Sequence, residues 1–356
     1  MGARLSILAP AAPTIAVSSY VEALYGVQYV DIVNNLRFLK TIKAIDKTNG
    51  SLVVVKILIK PTAETYNISL SNIIEFLAQE ARDIAALPNI LPYTRIIETE
   101  RAGYMIRQYL KLNLYDRLSL RPFLEPIEKL FLVYQAIKTV NCLHEMDICH
   151  GDLRLENFLV TSWNWLMLSD LSSYTKPVYL PEDNPTEFSF YFDGSGRRVC
   201  YLAPERFIKD KQVPQTFDDE GNYIARNKLT KEMDLFSLGC VISEIYMDGE
   251  PLFTLSQIYQ YMRGEYIPEL SIADPKIKSI VLQLIDLDSS ARPGTSALIE
   301  DLNLFPDFFG DFLFEFMSTL NKPFVIPKGN NLVSQSDLKI DYIYNNFEKV
   351  VKQLNF

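Results

Sequence analysis

The sequence predicts an α+β fold of two lobes, a small strand-rich lobe followed by a larger, mainly helical one. Two strand-like runs flank a turn signal before residue 60, and apolar residues recur at helical spacing after residue 125. The chain has 356 residues, 48% of them hydrophobic and 12% aromatic, so it can bury a sizeable core and is not expected to be disordered.

The strand-rich lobe opens with a predicted hairpin. The runs 38–44 and 51–58 flank DKTNG at 46–50, whose polar residues and glycine are typical of a turn. A helix is predicted over 72–87, because Pro88 ends the apolar pattern. Two further strands are predicted, at 93–98 and 103–109.

The helical lobe begins with a long predicted helix that reaches His144. This helix is predicted from apolar residues that recur at helical spacing, namely Ile127, Leu130, Phe131, Tyr134 and Ile137. The polar and irregular stretch 209–228 is predicted to be a surface insertion.

Composition excludes several classes of protein. The net charge of −9 gives no electrostatic reason to expect nucleic-acid binding. The four cysteines, at 142, 149, 200 and 240, include no CxxC pair, which indicates a reducing compartment rather than a disulfide framework. No apolar run reaches the ~18 residues that a membrane-spanning helix needs.

The first six residues, MGARLS, match the N-myristoylation pattern at Gly2. An inert start and a secretory signal are the alternatives, although Pro10 and Pro13 interrupt the apolar run that a signal needs. One myristoyl chain gives marginal membrane binding, about 10⁴ M⁻¹, so a second contact with a membrane or partner would be needed.

The most informative run is HGDLRLENFLV at 150–160. It resembles the catalytic loop of protein kinases. The resemblance implies that Asp152 accepts a substrate hydroxyl proton and that Asn157 binds a metal ion on the nucleotide phosphates.

Other motifs resemble those of protein kinases and follow in the same order. Lys56 in VVVK resembles the lysine that binds the α- and β-phosphates, and Glu80 resembles its ion-pair partner. Asp170, in the sequence Asp-Leu-Ser, resembles the aspartate that binds magnesium. The remaining matches are structural motifs that contain Glu205, Asp234 and Arg292. Each motif is weak alone, but together they predict a bilobal protein-kinase-like fold with ATP and Mg²⁺ as cofactors.

Four positions depart from the kinase pattern. The stretch 30–38 has no glycine where a phosphate-covering loop should lie, so it should hold a triphosphate poorly or differently. Gly151 stands where kinases usually have an arginine that binds a phosphorylated residue of the activation segment. Phosphorylation of that segment is therefore not expected to switch this protein on. Arg154 replaces the lysine that steadies the transferring phosphate. It keeps the positive charge and is therefore a candidate catalytic residue, but it presents a planar fork instead of an ammonium group. Ser172 replaces a glycine and restricts the backbone after Asp170.

Arg107 falls where kinases place the residues beside the nucleotide base. A guanidinium only donates hydrogen bonds, so it would favour the carbonyl of guanine over the amino group of adenine. GTP is therefore an alternative to ATP, unless Arg107 turns outward to a carboxylate.

A cluster of cysteines and histidines invites a zinc hypothesis. Cys142, His144, Cys149 and His150 fall within nine residues. Their spacing fits no standard pair of zinc ligands. His144 and Cys142 lie at the end of the predicted helix, where the kinase resemblance implies a buried histidine and a buried apolar residue.

Longer stretches narrow the resemblance. MGARLS, GYMIRQYLKLNLYDRLSLRPFL, HGDLRLENFLVTSWNW, KPVYLPEDNPTEFSFYFD and RRVCYLAPERF are similar to the myristoylated, kinase-like regulatory subunit of the class III phosphatidylinositol 3-kinase complex. The resemblance implies two partners, the catalytic subunit of that lipid kinase and a Beclin-like coiled-coil subunit. It also implies attachment to the cytoplasmic face of endosomal, Golgi or vacuolar membranes, and roles in vacuolar sorting and autophagy.

The expected organisation has three parts. Residues 1–27 are an acylated segment, 28–310 a kinase-like domain with lobes at 28–110 and 111–310, and 311–356 a helical tail that would begin HEAT-type repeats. The expected function is a regulatory subunit with a retained but degraded Ser/Thr kinase site, weak or autophosphorylating. The alternative is a scaffold without phosphoryl transfer, whose nucleotide site is either filled or empty.

Overall fold

The computed structural model describes residues 17–22, 24–35, 39–59, 70–85, 87, 89–161, 164–172, 175–193, 196–209 and 229–300. These residues form two compact units. The first comprises the described residues up to Ile74 together with Tyr93–Tyr109, and the second comprises Glu75–Pro92 and those from Leu110 onward. Residues 210–228, which hold most of the predicted insertion, lie outside the described residues.

The first unit is built on a five-stranded antiparallel sheet of order β1-β2-β3-β5-β4. A short helix precedes the sheet. Helix α2 follows the third strand, and from Glu75 onward it belongs to the second unit. The elements are α1 (Val17–Val21), β1 (Val27–Asn35), β2 (Leu39–Asp46), β3 (Leu52–Ile59), α2 (Leu70–Ile84), β4 (Arg95–Glu98) and β5 (Ala102–Gln108).

The predicted hairpin is confirmed as β2 and β3. Gly50 takes a left-handed φ of +71° in the turn, a conformation that glycine adopts without a steric penalty. Val53, Val55 and Ile57 lie on one face of β3 and are buried in the core of the first unit. Val54, on the opposite face, is buried as well, so both faces are covered at this point of the strand. The glycine-free stretch that begins at Val30 is itself strand as far as Asn35.

Helix α2 ends three residues earlier than predicted. The amides of Ala85 and Leu87 form i→i−3 hydrogen bonds, and Asn89 then takes a left-handed φ of +59°. The chain therefore leaves the helix before Pro88, through a turn that the apolar pattern did not distinguish from helix.

The second unit is mainly helical, with one three-stranded antiparallel sheet, of order β6-β7-β8, and one short parallel pair, β9 and β10. Its core surrounds α6, in which all but the terminal residues are buried. The elements are β6 (Leu112–Asn113), α3 (Leu114–Ser119), α4 (Pro126–Glu145), β7 (Phe158–Val160), β8 (Leu166–Leu168), β9 (Leu180–Pro181), α5 (Pro185–Tyr191), β10 (Phe207–Ile208), α6 (Lys231–Tyr246), α7 (Leu255–Met262), α8 (Pro275–Leu284) and α9 (Thr295–Glu300).

Helix α4 is the long helix that the sequence predicts, and its C-terminal end leads into the HGDLRLENFLV run. Pro126 occupies the first turn, and the amide of Glu125 donates to the Glu128 carboxylate at 2.8 Å, which satisfies a backbone donor at the helix start. Tyr134 and Ile137 are buried as predicted. Ile127 is 46% exposed, so the apolar face begins one turn later than its spacing suggests.

The α+β class is therefore confirmed. No helix in the described part of the chain has both the length and the apolar character needed to cross a bilayer.

Candidate active site

The loop after α4 is held from below by Asp234, which lies in the first turn of α6 and is 1% exposed. Its carboxylate accepts the amides of His150 at 2.6 Å and Gly151 at 2.9 Å, and it contacts His144 Nε2 at 3.2 Å. Burial would raise the pKa of Asp234, but the hydrogen bond from His144 and the nearby charges hold it below its usual value. An ionised carboxylate thus fixes the loop backbone.

His150 supports the same loop through its ring. It is fully buried, and burial lowers its pKa, so the ring is neutral near pH 7. Nδ1 accepts the amide of Asp152 at 3.2 Å, and Nε2 then donates to the Ser169 carbonyl at 3.0 Å. His150 therefore ties the Asp152 backbone to the strand end that precedes Asp170.

Gly151 has a local structural explanation. Its φ is +76°, and an added Cβ would lie 2.5 Å from Leu229 Cδ1 and 3.0 Å from the Ser172 hydroxyl. The left-handed backbone favours glycine, and a larger side chain would have to displace the side chains of Leu229 and Ser172. Ser172 uses the space, because both its amide and its hydroxyl donate to the His150 carbonyl. The absent arginine and the added serine are thus parts of one arrangement.

Asp152 presents its carboxylate beside Asn157 and Lys176. Asn157 Nδ2 donates to the Asp152 carbonyl at 2.8 Å and to Oδ2 at 3.2 Å. Lys176 Nζ donates to the same Oδ2 at 2.5 Å, and both charged side chains are about nine-tenths buried. Sequence reasoning assigned no role to Lys176, because this lysine opens the KPVYLPEDNPTEFSFYFD stretch but belongs to none of the catalytic motifs.

The Arg154 side chain contacts Glu156 and Phe192. Its guanidinium makes two bonds to the Glu156 carboxylate, at 2.9 and 3.0 Å, and one to the Phe192 carbonyl at 2.6 Å. Arg197 also bonds Glu156, at 3.1 Å, and forms an ion pair with the buried Glu244. Burial disfavours the ionised Glu156, but Arg154 overcomes it and lowers the pKa of that carboxyl to about 2.

Asn157 and Asp170 offer oxygen atoms that suit a magnesium ion. The side-chain nitrogen of Asn157 donates to Asp152, so the side-chain oxygen of Asn157 is the atom that could bind a cation. Ser169, next to Asp170, donates its amide at 3.0 Å and its hydroxyl at 3.2 Å to the Asn157 carbonyl, so the two ligand-bearing segments are joined. Asp170 has a φ of +69°, a strained conformation that is typical of functional positions.

Glu205 and Arg292, which belong to two of the structural motifs in the sequence, form an ion pair in the second unit. Arg292 binds Glu205 through two bonds, at 2.6 and 2.9 Å, in a forked geometry. The neighbouring Arg206 is 2% exposed and donates to the carbonyls of Gly151, Val178 and Pro177. The segment after Asp170 is thereby attached to the catalytic loop without any phosphate group.

The predicted nucleotide-binding residues lie on separate elements. Lys56 is half-buried on β3, opposite Met105 of β5, and Glu80 is 9% exposed on α2. Arg107 is 5% exposed on β5, and its guanidinium donates to the Gln108 carbonyl at 3.2 Å, so it is not turned out to solvent. Their roles toward a nucleotide stay predictions. Gly2 lies outside the described residues.

Among the described residues, one group of side chains lies close enough together to bind a metal ion such as zinc. Donor atoms of His144, Cys149 and Asp234 lie within 4.8 Å of one another. Asp234 is already committed to the loop amides and His144, and burial with the hydrogen bond explains the cluster without a metal.

Comparison with known proteins identifies the family. Residues 37–302 match the protein kinase domain. The chain belongs to the protein kinase family. It is 42% identical over 375 aligned residues to the serine/threonine-protein kinase VPS15 of Saccharomyces cerevisiae, and that match covers all of this chain and 25% of the relative.

Two further relatives agree with this similarity. A non-specific serine/threonine protein kinase of Candida glabrata is 46% identical over 328 residues, which cover 90% of this chain and 22% of the relative. The VPS15 kinase of Arabidopsis thaliana is 40% identical over 299 residues, or 81% of this chain and 19% of the relative. The chain therefore spans a quarter or less of the length of these relatives.

Proposed function

We propose that this chain is the kinase-like part of a membrane-anchored regulatory subunit of a class III phosphatidylinositol 3-kinase complex, and that it binds nucleotide at a retained, inefficient phosphoryl-transfer site. The main support for this site is a hydrogen-bond network that fixes the segments bearing Asp152, Asn157 and Asp170. The residues that make this network are Asp234, His150 and Ser169. The similarity to VPS15 kinases supports the regulatory assignment.

The proposed reaction needs a base beside the attacking hydroxyl. Asp152 accepts the proton of a Ser or Thr hydroxyl as the hydroxyl oxygen attacks the γ-phosphorus, and the nucleoside diphosphate leaves with the electron pair of the broken bond. Asn157 and Asp170 would hold Mg²⁺, which offsets negative charge on the phosphates when bound. Lys56, Glu80 and Arg107 are proposed nucleotide-binding residues, with either ATP or GTP as ligand.

A scaffold without phosphoryl transfer is the second candidate. Two observations favour it: the stretch before β2 contains no glycine that would let backbone amides approach a triphosphate, and Arg154 is bound to Glu156 and Phe192. In this hypothesis nucleotide occupancy stabilises the subunit that holds the lipid kinase.

The deciding experiment compares the wild-type protein with Asp170→Ala, using Glu269→Ala as a control at an exposed acid. Nucleotide affinity in Mg²⁺ and autophosphorylation are measured for each protein. We expect Asp170→Ala to lower both by at least about tenfold, because charge on the phosphates loses its counter-ion.

Two other outcomes are informative. Equal nucleotide affinity and equal autophosphorylation in wild type and Asp170→Ala would exclude metal-dependent nucleotide chemistry. Mg²⁺-dependent binding without any phosphoryl transfer in the wild type would select the scaffold.

The partners and the location are also proposals. A Beclin-like coiled-coil subunit and the lipid kinase catalytic subunit are the proposed partners, and an acyl chain on Gly2 is the proposed membrane contact. The MGARLS pattern supports acylation, and metabolic labelling with myristate tests it, since Gly2→Ala should remove the label.

A further inference from the structure

Lys176 occupies an unexpected position beside the proposed base. Its ammonium group lies 2.5 Å from Asp152 Oδ2 and 4.8 Å from the centroid of the Phe192 ring. Its side chain is 11% exposed. A lysine that gives up this much hydration and conformational freedom is held at a defined point, rather than sampling solvent.

The arginines nearest to this point are engaged elsewhere. Arg154 bonds Glu156 and the Phe192 carbonyl. Arg197 bonds Glu156 and Glu244, and Arg206 bonds three backbone carbonyls. Within the described part of the chain, Lys176 is the cation that contacts the Asp152 carboxylate.

The two oxygens of Asp152 have different surroundings. Oδ2 accepts both Lys176 and Asn157, while no described residue donates to Oδ1. Lys176 therefore orients the carboxylate and leaves one oxygen for a hydroxyl proton. A lysine that merely blocked the base would not need to leave this oxygen open.

We propose that Lys176, on the segment after Asp170, is the cation that contacts the transferring phosphoryl group, the role that the sequence assigned to Arg154. The base and the phosphoryl group are both anionic and must come together in the transition state, so a buried ammonium between them lowers their repulsion. The proposal rests on the phosphoryl-transfer site described above.

The step balances without a further reactant. The γ-phosphorus leaves the bridging oxygen of the nucleotide, which keeps the bonding pair, and forms a bond to the hydroxyl oxygen. The hydroxyl proton moves to Asp152 Oδ1. Lys176 remains protonated throughout and donates to Asp152 Oδ2 and to an oxygen of the transferring group.

The test uses Lys176→Ala and Lys176→Arg in the whole chain, with Lys209→Ala as a control that removes an equal charge from an exposed lysine. Two quantities are measured in Mg²⁺: the autophosphorylation rate, and the affinity for a non-hydrolysable triphosphate analogue relative to the diphosphate. We expect Lys176→Ala to lower the rate roughly 10- to 100-fold and the triphosphate preference several-fold. Lys176→Arg should restore part of both, and Lys209→Ala should change neither.

The outcomes separate this inference from the proposed function. If the wild type binds nucleotide but does not transfer phosphate, a reduced triphosphate preference in Lys176→Ala still supports the contact. A higher rate in Lys176→Ala would show that the lysine blocks the base, and an unchanged rate and preference would also overturn the inference. If the wild type binds neither nucleotide, the proposed function fails and the inference fails with it.

Discussion

Two buried ion clusters lie side by side in the second unit, and they differ in how completely their charges are used. In the first, Glu156 is bound by Arg154 and Arg197, and Arg154 also reaches a backbone carbonyl. In the second, Asp152 is bound by Lys176 and Asn157 through one oxygen, and its other oxygen accepts no described donor.

The difference separates structural charges from chemical ones. A buried carboxylate whose oxygens are all bound by protein groups contributes to stability, and removing one of its partners leaves a buried charge unpaired. A carboxylate with an open oxygen can exchange a proton with a substrate. The role that the catalytic-loop resemblance implies for Arg154 is therefore the one that we propose for Lys176.

The largest expected effect is on the open cluster. Asp152→Asn should lower phosphoryl transfer by about 10²- to 10⁴-fold, because the amide cannot accept the hydroxyl proton. Nucleotide affinity should remain close to that of the wild type. Autophosphorylation and nucleotide titration measure the two, with Asp248→Asn as a control at an acid that is 73% exposed. Transfer at the wild-type rate would remove Asp152 from the chemistry.

Breaking the closed cluster should affect the fold. Glu156→Gln leaves two buried guanidinium groups without their shared charge, so we expect it to lower the free energy of unfolding by roughly 3–5 kcal/mol at pH 7. Denaturant unfolding measures this, with Glu269→Gln as an exposed control. A loss below that of the control would mean that the cluster contributes nothing to stability.

The same variant has an expected pH dependence. The folded pKa of Glu156 is lowered from 4.5 to about 2, so its contribution is present above pH 4.5 and is lost as the pH falls toward 2. The stability difference between wild type and Glu156→Gln should therefore shrink over that interval. A difference that stays constant down to pH 2 would contradict the charge assignment.

The smallest expected effect concerns Gly151, which directly precedes Asp152 in the catalytic loop. Gly151→Ala should destabilise by about 2–4 kcal/mol, since it combines a left-handed φ with a Cβ 2.5 Å from Leu229. Gly264→Ala is the matched control, because its φ is +72° and nothing lies within 4 Å of an added Cβ. It should lose only the backbone part, about 1–2 kcal/mol. Equal losses would show that packing does not select the glycine.

Much of the fold could be predicted from sequence. Hydrophobic period and turn chemistry placed the hairpin at β2 and β3 and the long helix at α4, because both signals are local. The end of α2 was placed too late, since the bonds of Ala85 and Leu87 depend on how the chain turns toward Asn89.

The sequence by itself determined the family resemblance and the identity of the proposed base and metal ligands, because motif order and spacing are properties of the chain alone. Tertiary structure decided which cation faces Asp152 and why position 151 is glycine. Lys176 is 24 residues from its partner, and Leu229 approaches Gly151 from a segment much farther along the chain. Contacts across such separations depend on packing, which no local pattern encodes.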